Sequence, residues 1–193
     1  RVIKMSYVDE YLTGLEKAVR NLSRPDVEAV VDTMLDAWRE NRQVFIIGNG
    51  GSAATAAHMM NDLCKLTVVP GKRRFRAIAL TDNVPLLTAW GNDASFEDVF
   101  VEPLRNLMRA ADLLVIISTS GESPNLIKAM RCAQTEFSGT VIGITGSDGG
   151  RLAAGADLVV RIPSDHIGQQ EDGHLIVNHA VSNALVERLR ALE

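Results

Sequence analysis

Apolar residues along the chain fall into two kinds of pattern. In the opening segments they recur every three or four positions, over residues 6–22 (SYVDEYLTGLEKAVRNL) and from Pro25 to about Asn41, the spacing that lets one face of a helix meet a core. Pro25 and Asp26 suit the first turn of the second segment. Beyond residue 42 the pattern changes. Short apolar runs, VFIIG (44–48), RAIAL (76–80), LLVIIS (113–118), TVIGIT (140–145) and DLVVRI (157–162), alternate with helical segments over 52–66, 84–91, 98–110, 123–137 and 149–154, and a long last helix covers 169–191. Runs that are apolar on both faces suit a parallel sheet covered on both sides. The expected fold is α/β, a doubly wound five-stranded parallel sheet with helices on both faces. One domain spans 1–193, with leading helices over 1–42 and the sheet core and last helix over 43–193.

Composition narrows the function classes. With 46% hydrophobic and 23% charged residues the chain is ordinary for a soluble globular protein. A formal net charge of −4 supplies no basic field for a nucleic-acid backbone. The short basic stretch GKRRFR (71–76) reads as a solvated loop before a strand. Cys64 and Cys132 are too few for a disulfide framework and lack CxxC spacing, so they read as thiols in a reducing compartment. No apolar run approaches the ~18 residues of a membrane span. The opening stretch lacks the basic-then-apolar order of an export leader; it begins at Arg1, with Met5 a candidate start. A cytoplasmic protein with no direct nucleic-acid or membrane partner is expected.

In a doubly wound sheet, ligands lie beyond the carboxyl ends of the strands, so the loops there carry the candidate chemistry. GNGGSAA follows the first strand: Asn49, Gly50 and Gly51 allow close backbone approach, and Ser52 is placed to cap the next helix, whose free N–H groups attract an anion. The pattern is neither GxGxxG nor a P-loop. STSGESPN ends the third strand and offers Ser118, Thr119, Ser120 and Ser123 to one anion. Without a positive charge, it suits a sugar phosphate better than a nucleoside triphosphate; Ser123 and Pro124 also read as the start of a helix. Asn92 and Asp93 either contact sugar hydroxyls or simply form a turn. TGSDGG (145–150) reads as a structural turn.

Three of the four histidines fall at telling places. His58 and Asp62 are four apart, on one helix face. On the last helix Glu171 and His179 are about 80° apart around the axis and can share a broad face, whereas His174 sits off it. Two imidazoles and two carboxylates would suit Zn²⁺ or a similar divalent ion, or would move protons without a metal. The alternative is a surface His–Asp hydrogen bond and histidines that merely fill an amphipathic helix.

Taken together and in order, GNGGSAATAAH, GND, ISTSGESPNLIKA, TGSDGG and the histidine-bearing last helix resemble the sugar isomerase (SIS) domain, and within it the phosphoheptose isomerase family, over nearly the whole chain. The resemblance implies a flavodoxin-like strand order, a homotetramer built through the leading helices, and active sites near subunit interfaces. It also implies conversion of sedoheptulose 7-phosphate to D-glycero-D-manno-heptose 7-phosphate through an enediolate, with Zn²⁺ or another divalent ion in each site. Carried onto this chain, Ser118, Thr119, Ser120 and Ser123 hold the phosphate. Asn49, Gly50, Gly51, Ser52, Asn92, Asp93 and Glu171 touch the substrate. His58, Asp62, Glu171 and His179 hold the metal, with Gln170 replacing Glu171 if a one-residue shortening falls elsewhere. Asp62 and His179 form the acid–base pair. The family has Glu at the position of Asp62 and Gln at that of Glu171, which admits a different ketose phosphate. The other reading is a non-catalytic SIS protein that binds a sugar phosphate or docks on the bacterial replication initiator.

Overall fold

The computed structural model describes residues 6–192, so Met5 lies outside them. Two helices lead, α1 (Tyr7–Arg20) and α2 (Arg24–Arg39). Ser6 caps α1 in a reciprocal box with Asp9, and Ser23 caps α2 ahead of Pro25, which satisfies backbone donors that helix starts leave open. The sheet follows as β1 (Gln43–Gly48), β2 (Arg76–Ala79), β3 (Leu113–Ser118), β4 (Thr140–Thr145) and β5 (Leu158–Arg161). All pairs are parallel, in the order β2-β1-β3-β4-β5. The connecting helices are α3 (Gly51–Asn61), α4 (Val84–Asp93), α5 (Val101–Leu107), α6 (Pro124–Phe137) and α7 (Gly150–Gly155), and α8 (Ile167–Ala191) closes the chain.

All five expected strands form. β1 and β3 are buried along their whole length, but β2, expected to be covered on both faces, is a half-exposed edge strand. The helix expected over 52–66 is α3 followed by a π turn at Asp62–Leu66. The segment expected to be one helix over 98–110 divides into a 3₁₀ turn at Phe96–Asp98 and α5. Asn92 and Asp93, expected beyond a helix, form the last turn of α4. The basic loop is anchored structurally, with Arg73 over the Trp38 ring at 5.6 Å and Trp38 Nε1 donating to the Arg73 carbonyl.

Strand side chains alternate between two cores. Val44, Ile46, Val115 and Ile117 face α2, α3 and α8, packing with Met34, Met59, Val177 and Leu185. Phe45, Ile47, Leu114 and Ile116 face the α5–α7 side, packing with Leu104, Leu126 and Leu152. At the amino end of the sheet, Asp112 accepts from the backbone N–H of Gln43 and Arg109, both at 2.8 Å. Among the described residues no helix is long and apolar enough to cross a membrane.

His174, expected off the functional face, lies fully buried under α8, and neither ring nitrogen reaches a hydrogen-bond partner among the described residues. Burial pushes its imidazole pKa down to about 4; the neighbouring Thr145 backbone acts the other way, as the smaller effect, without meeting hydrogen-bond geometry. The unfolded chain, with an imidazole near 6.5, therefore takes up the proton first. The neutral ring's contribution is complete above pH 6.5 and is lost as pH falls toward 4, on the order of 3 kcal/mol in all. Urea unfolding between pH 7.5 and 4 should show that loss, and His174→Leu should flatten it. An unchanged slope in the variant would assign the loss to other groups.

Candidate active site

The strand order reverses between β1 and β3, which opens a crevice beyond their carboxyl ends. Two loops flank it, Asn49–Gly50 leading into α3 and 119–123 leading into α6. An amide pair joins them: Asn49 Nδ2 donates to Asn125 Oδ1 at 3.0 Å, and Asn125 Nδ2 donates back to Asn49 Oδ1 at 2.9 Å. Asn125 is buried, and its Oδ1 also accepts from the Leu126 N–H. This reciprocal pair sets the width of the crevice.

The hydroxyl loop is shaped from within. Ser118 Oγ accepts from the Gly121 N–H at 3.0 Å and Ser120 Oγ from the Glu122 N–H at 3.3 Å, which leaves each hydroxyl proton available to an external acceptor. Gly121, at φ 64°, lies so close to the turn after β4 that a Cβ would come within 1.9 Å of the Gly149 carbonyl. The Gly146 N–H donates to the Thr119 carbonyl at 3.0 Å. TGSDGG thus buttresses the loop, in keeping with its reading as a turn. Ser123 stands at the cap position of α6 with Pro124 after it, but its hydroxyl makes no capping bond. Ser52 is corrected: it lies buried in the first turn of α3, and the cap position belongs to Gly50.

The decisive contact is between α3 and α8. His58 Nε2 and His179 Nε2 are 3.2 Å apart, with the rings edge-to-face. Asp62 Oδ2 is 3.6 Å from His58 Nε2 and 3.9 Å from His179 Nε2. Asp62 is only 7% exposed, while both histidines are open to solvent, so a buried carboxylate meets two exposed imidazoles at the protein surface. Asn178 Nδ2 donates to Asp62 Oδ2 at 2.9 Å, and Ser182 Oγ stands 3.4 Å behind the Asn178 carbonyl oxygen. One ligand atom from each of His58, Asp62 and His179 lies within 4.8 Å of the others. Two imidazole nitrogens and a carboxylate oxygen at such spacing fit a zinc-type ion and leave room for an oxygen from outside.

Glu171 stands apart from these three. Its carboxylate lies over the start of α3, where a Cβ on Gly51 would meet Oε1 at 2.6 Å, so glycine there lets the carboxylate come close. Gln170 is turned elsewhere, its Nε2 donating to the Ser164 carbonyl at 2.7 Å. Of the two candidates, Glu171 is the one that faces the glycine loop. Asn92 and Asp93 are exposed and bonded to each other at 2.7 Å. They do not line the cavity of about 150 Å³ beside Asn49 and Gly50, which Thr81, Leu87, Phe96 and Phe100 enclose.

A larger cleft, about 510 Å³, lies between α5 and α6. Most of its charges pair off, Arg105 with Glu102 and Glu136, Lys128 with Asp98 and Arg151 with Glu122, and it holds no cluster resembling the histidine site. Asn125 and Asn178 escaped the sequence reading. A polar residue in the buried register of a helix was the available signal for both.

Comparison with known proteins agrees with this geometry. The SIS domain family model matches residues 6–146. A phosphoheptose isomerase from Geotalea daltonii is 36% identical over 184 residues, 95% of this chain and 94% of that protein. The solved phosphoheptose isomerase from Neisseria gonorrhoeae superposes with a TM-score of 0.81 at 35% identity, covering 91% of this chain and 92% of that one. That from Francisella tularensis superposes at 0.82 with 27% identity, covering 95% and 100%. The chain belongs to the SIS-domain family, in the phosphoheptose isomerase branch.

Proposed function

We propose that this protein converts sedoheptulose 7-phosphate to D-glycero-D-manno-heptose 7-phosphate. The observation that carries the reading is the convergence of His58, Asp62 and His179 beside a crevice walled by a hydroxyl loop; the names of the relatives supply the substrate. The phosphate goes to Ser118, Thr119, Ser120 and Ser123. Electrostatics favours that end, because the start of α3 already faces the Glu171 carboxylate, which repels a second anion. The sugar then runs past Asn49, Gly50 and Gly51, with Glu171 as a partner for its hydroxyls; Asn92 and Asp93, exposed and outside the cavity beside Asn49, and the buried Ser52 are left out of this path.

At the far end, aldose–ketose exchange requires a proton to leave one carbon and return to its neighbour, and a second proton to pass between the oxygens. Asp62 takes the carbon-bound proton and returns it; His179, with a solvent-open imidazole, serves the oxygens. Anchoring the phosphate places the reacting carbons against these groups. A divalent ion held by His58, Asp62 and His179 would supply positive charge to the enediolate oxygens.

The same reading includes assembly. Val8, Leu12, Leu15 and Val19 repeat at four- and three-residue spacing along α1, and Val8 and Leu12 are more than half exposed, the pattern of a helix seam seeking a partner. It supports assembly through the leading helices, which the proposal takes to be a homotetramer; the same proposal puts the enzyme in the cytoplasm.

Purified protein loaded with Zn²⁺ and given sedoheptulose 7-phosphate in D₂O should produce an aldose phosphate carrying deuterium at the exchanged carbon, followed by NMR. Binding without product or exchange would replace the isomerase reading with a sugar-phosphate-binding role. Asp62→Asn should lower turnover roughly 10²–10⁴-fold while calorimetry still detects substrate binding; full turnover would remove Asp62 from the proton path. Dialysis against a chelator should abolish most activity, with Zn²⁺ restoring it, and an enzyme indifferent to chelation would point to proton transfer without metal.

A further inference from the structure

The α3–α8 interface is apolar along most of its length, with Ala56, Met59 and Leu63 meeting Val177, Val181 and Leu185. Two fully buried polar side chains interrupt it, Asn178 and Ser182. Such groups cost stability unless their hydrogen bonds are met, and here they form one chain, Ser182 Oγ to Asn178 Oδ1 at 3.4 Å and Asn178 Nδ2 to Asp62 Oδ2 at 2.9 Å. We infer that Asn178 is a positioning residue for Asp62, holding its carboxylate in the single orientation that the site's proton transfer and cation binding require, with Ser182 fixing the amide. This rests on the isomerase reading above and deepens it.

The geometry is specific. An ionised carboxylate only accepts hydrogen bonds, so the amide must present its NH₂ to Asp62 and its oxygen to the Ser182 hydroxyl, which can donate. The oxygen that Asn178 grips, Oδ2, is also the one facing both imidazoles, at 3.6 and 3.9 Å. The other, Oδ1, has only a long 3.4 Å contact from Asn61 Nδ2 and so keeps acceptor capacity for a proton. Backbone geometry adds to the need for a tether. Asp62 begins the π turn, where the Thr67 N–H bonds back to the Asp62 carbonyl across five residues, and the wider turn rotates the following side chains off the regular helical register. A short side chain at that junction has two torsions to fix, and Asn178 fixes them from the opposite helix. An amide does this without a charge of its own, so it leaves the total charge around the histidines unchanged.

The test compares wild type, Asn178→Leu and Ser182→Ala in the full-length protein. Three readouts are taken: turnover of sedoheptulose 7-phosphate, Co²⁺ affinity with the visible Co²⁺ spectrum, and metal-free thermal unfolding. Asn178→Leu should lower kcat about 10–100-fold, weaken Co²⁺ binding by a similar factor and alter the spectrum, with KM moving less than about threefold, since the phosphate end is untouched. Ser182→Ala should show the same changes in smaller measure, and decides the matter alone should Asn178→Leu fail to fold. A purely structural role predicts lower melting temperatures with kcat, Co²⁺ affinity and spectrum intact, and that result overturns the proposal while the isomerase reading stands. Wild type that neither turns over the sugar phosphate nor takes up Co²⁺ overturns both.

Discussion

The site proposed as catalytic depends on one packing contact, the seating of α8 against α3. Val177, Val181, Leu185 and Leu189 put α8 into the same core as Ala56 and Met59. That seating brings His179 within 3.2 Å of His58 although they lie 121 residues apart in the chain. Burial of apolar surface drives the contact, but apolar surface has little directional content. The register comes from the polar groups set into it, Asn178 against Asp62 and Ser182 behind Asn178. A slide of one helical turn would preserve much of the apolar contact while leaving a buried carboxylate and an amide unpaired, and such unpaired groups are what a packed interface tolerates least.

The crevice has a polarity of its own. Its hydroxyl wall offers neutral donors, its one carboxylate, Glu122, being paired with Arg151 at 2.7 Å, whereas its glycine wall carries the Glu171 carboxylate over the first turn of α3. On the proposed reading this asymmetry sends the phosphate to the hydroxyl wall and the polyol to the glycine wall, without any lysine or arginine in either loop. Neutral donors also limit how strongly a phosphate is held, which suits a site that must release a product carrying the same phosphate. The Asn49–Asn125 pair ties the two walls together, so a shift in one loop is transmitted to the other.

What the amino-acid sequence disclosed follows from the range of the interactions concerned. The five strands were legible because burial on both faces leaves an unbroken local apolar run; β2 was misjudged because an edge strand can be as apolar as a central one. The start of α3 was misread because a serine two residues on looks like a cap, whereas Gly50, at φ 55°, takes the cap position without a side-chain bond. The π turn at Asp62 has no composition of its own and is decided by a single backbone register. His58 and His179 stood out as residues, and the family motifs linked them, but their meeting depends on how two distant helices pack, which local spacing does not encode. Asn178 was hidden beside a conspicuous histidine, although a polar residue among Val177, Val181 and Leu185 was visible in the chain.

Binding and chemistry have separate structural origins here. The crevice is a consequence of strand order: any doubly wound sheet with this reversal places two loops on either side of a gap, and here one of them carries the hydroxyl residues to which the proposed function assigns the phosphate. The His58–Asp62–His179 cluster is a consequence of how one helix pair packs. On the proposed reading, substitutions at Asp62, Asn178 or His179 alter what happens to a bound sugar rather than whether it binds, and substitutions in 118–123 do the converse. A carboxylate one methylene long makes the first kind of change especially sensitive. Its reach is fixed by the backbone of the π turn and by the amide opposite, so the choice of reacting carbon is set by the spacing of two helices rather than by the loops that recognise the substrate.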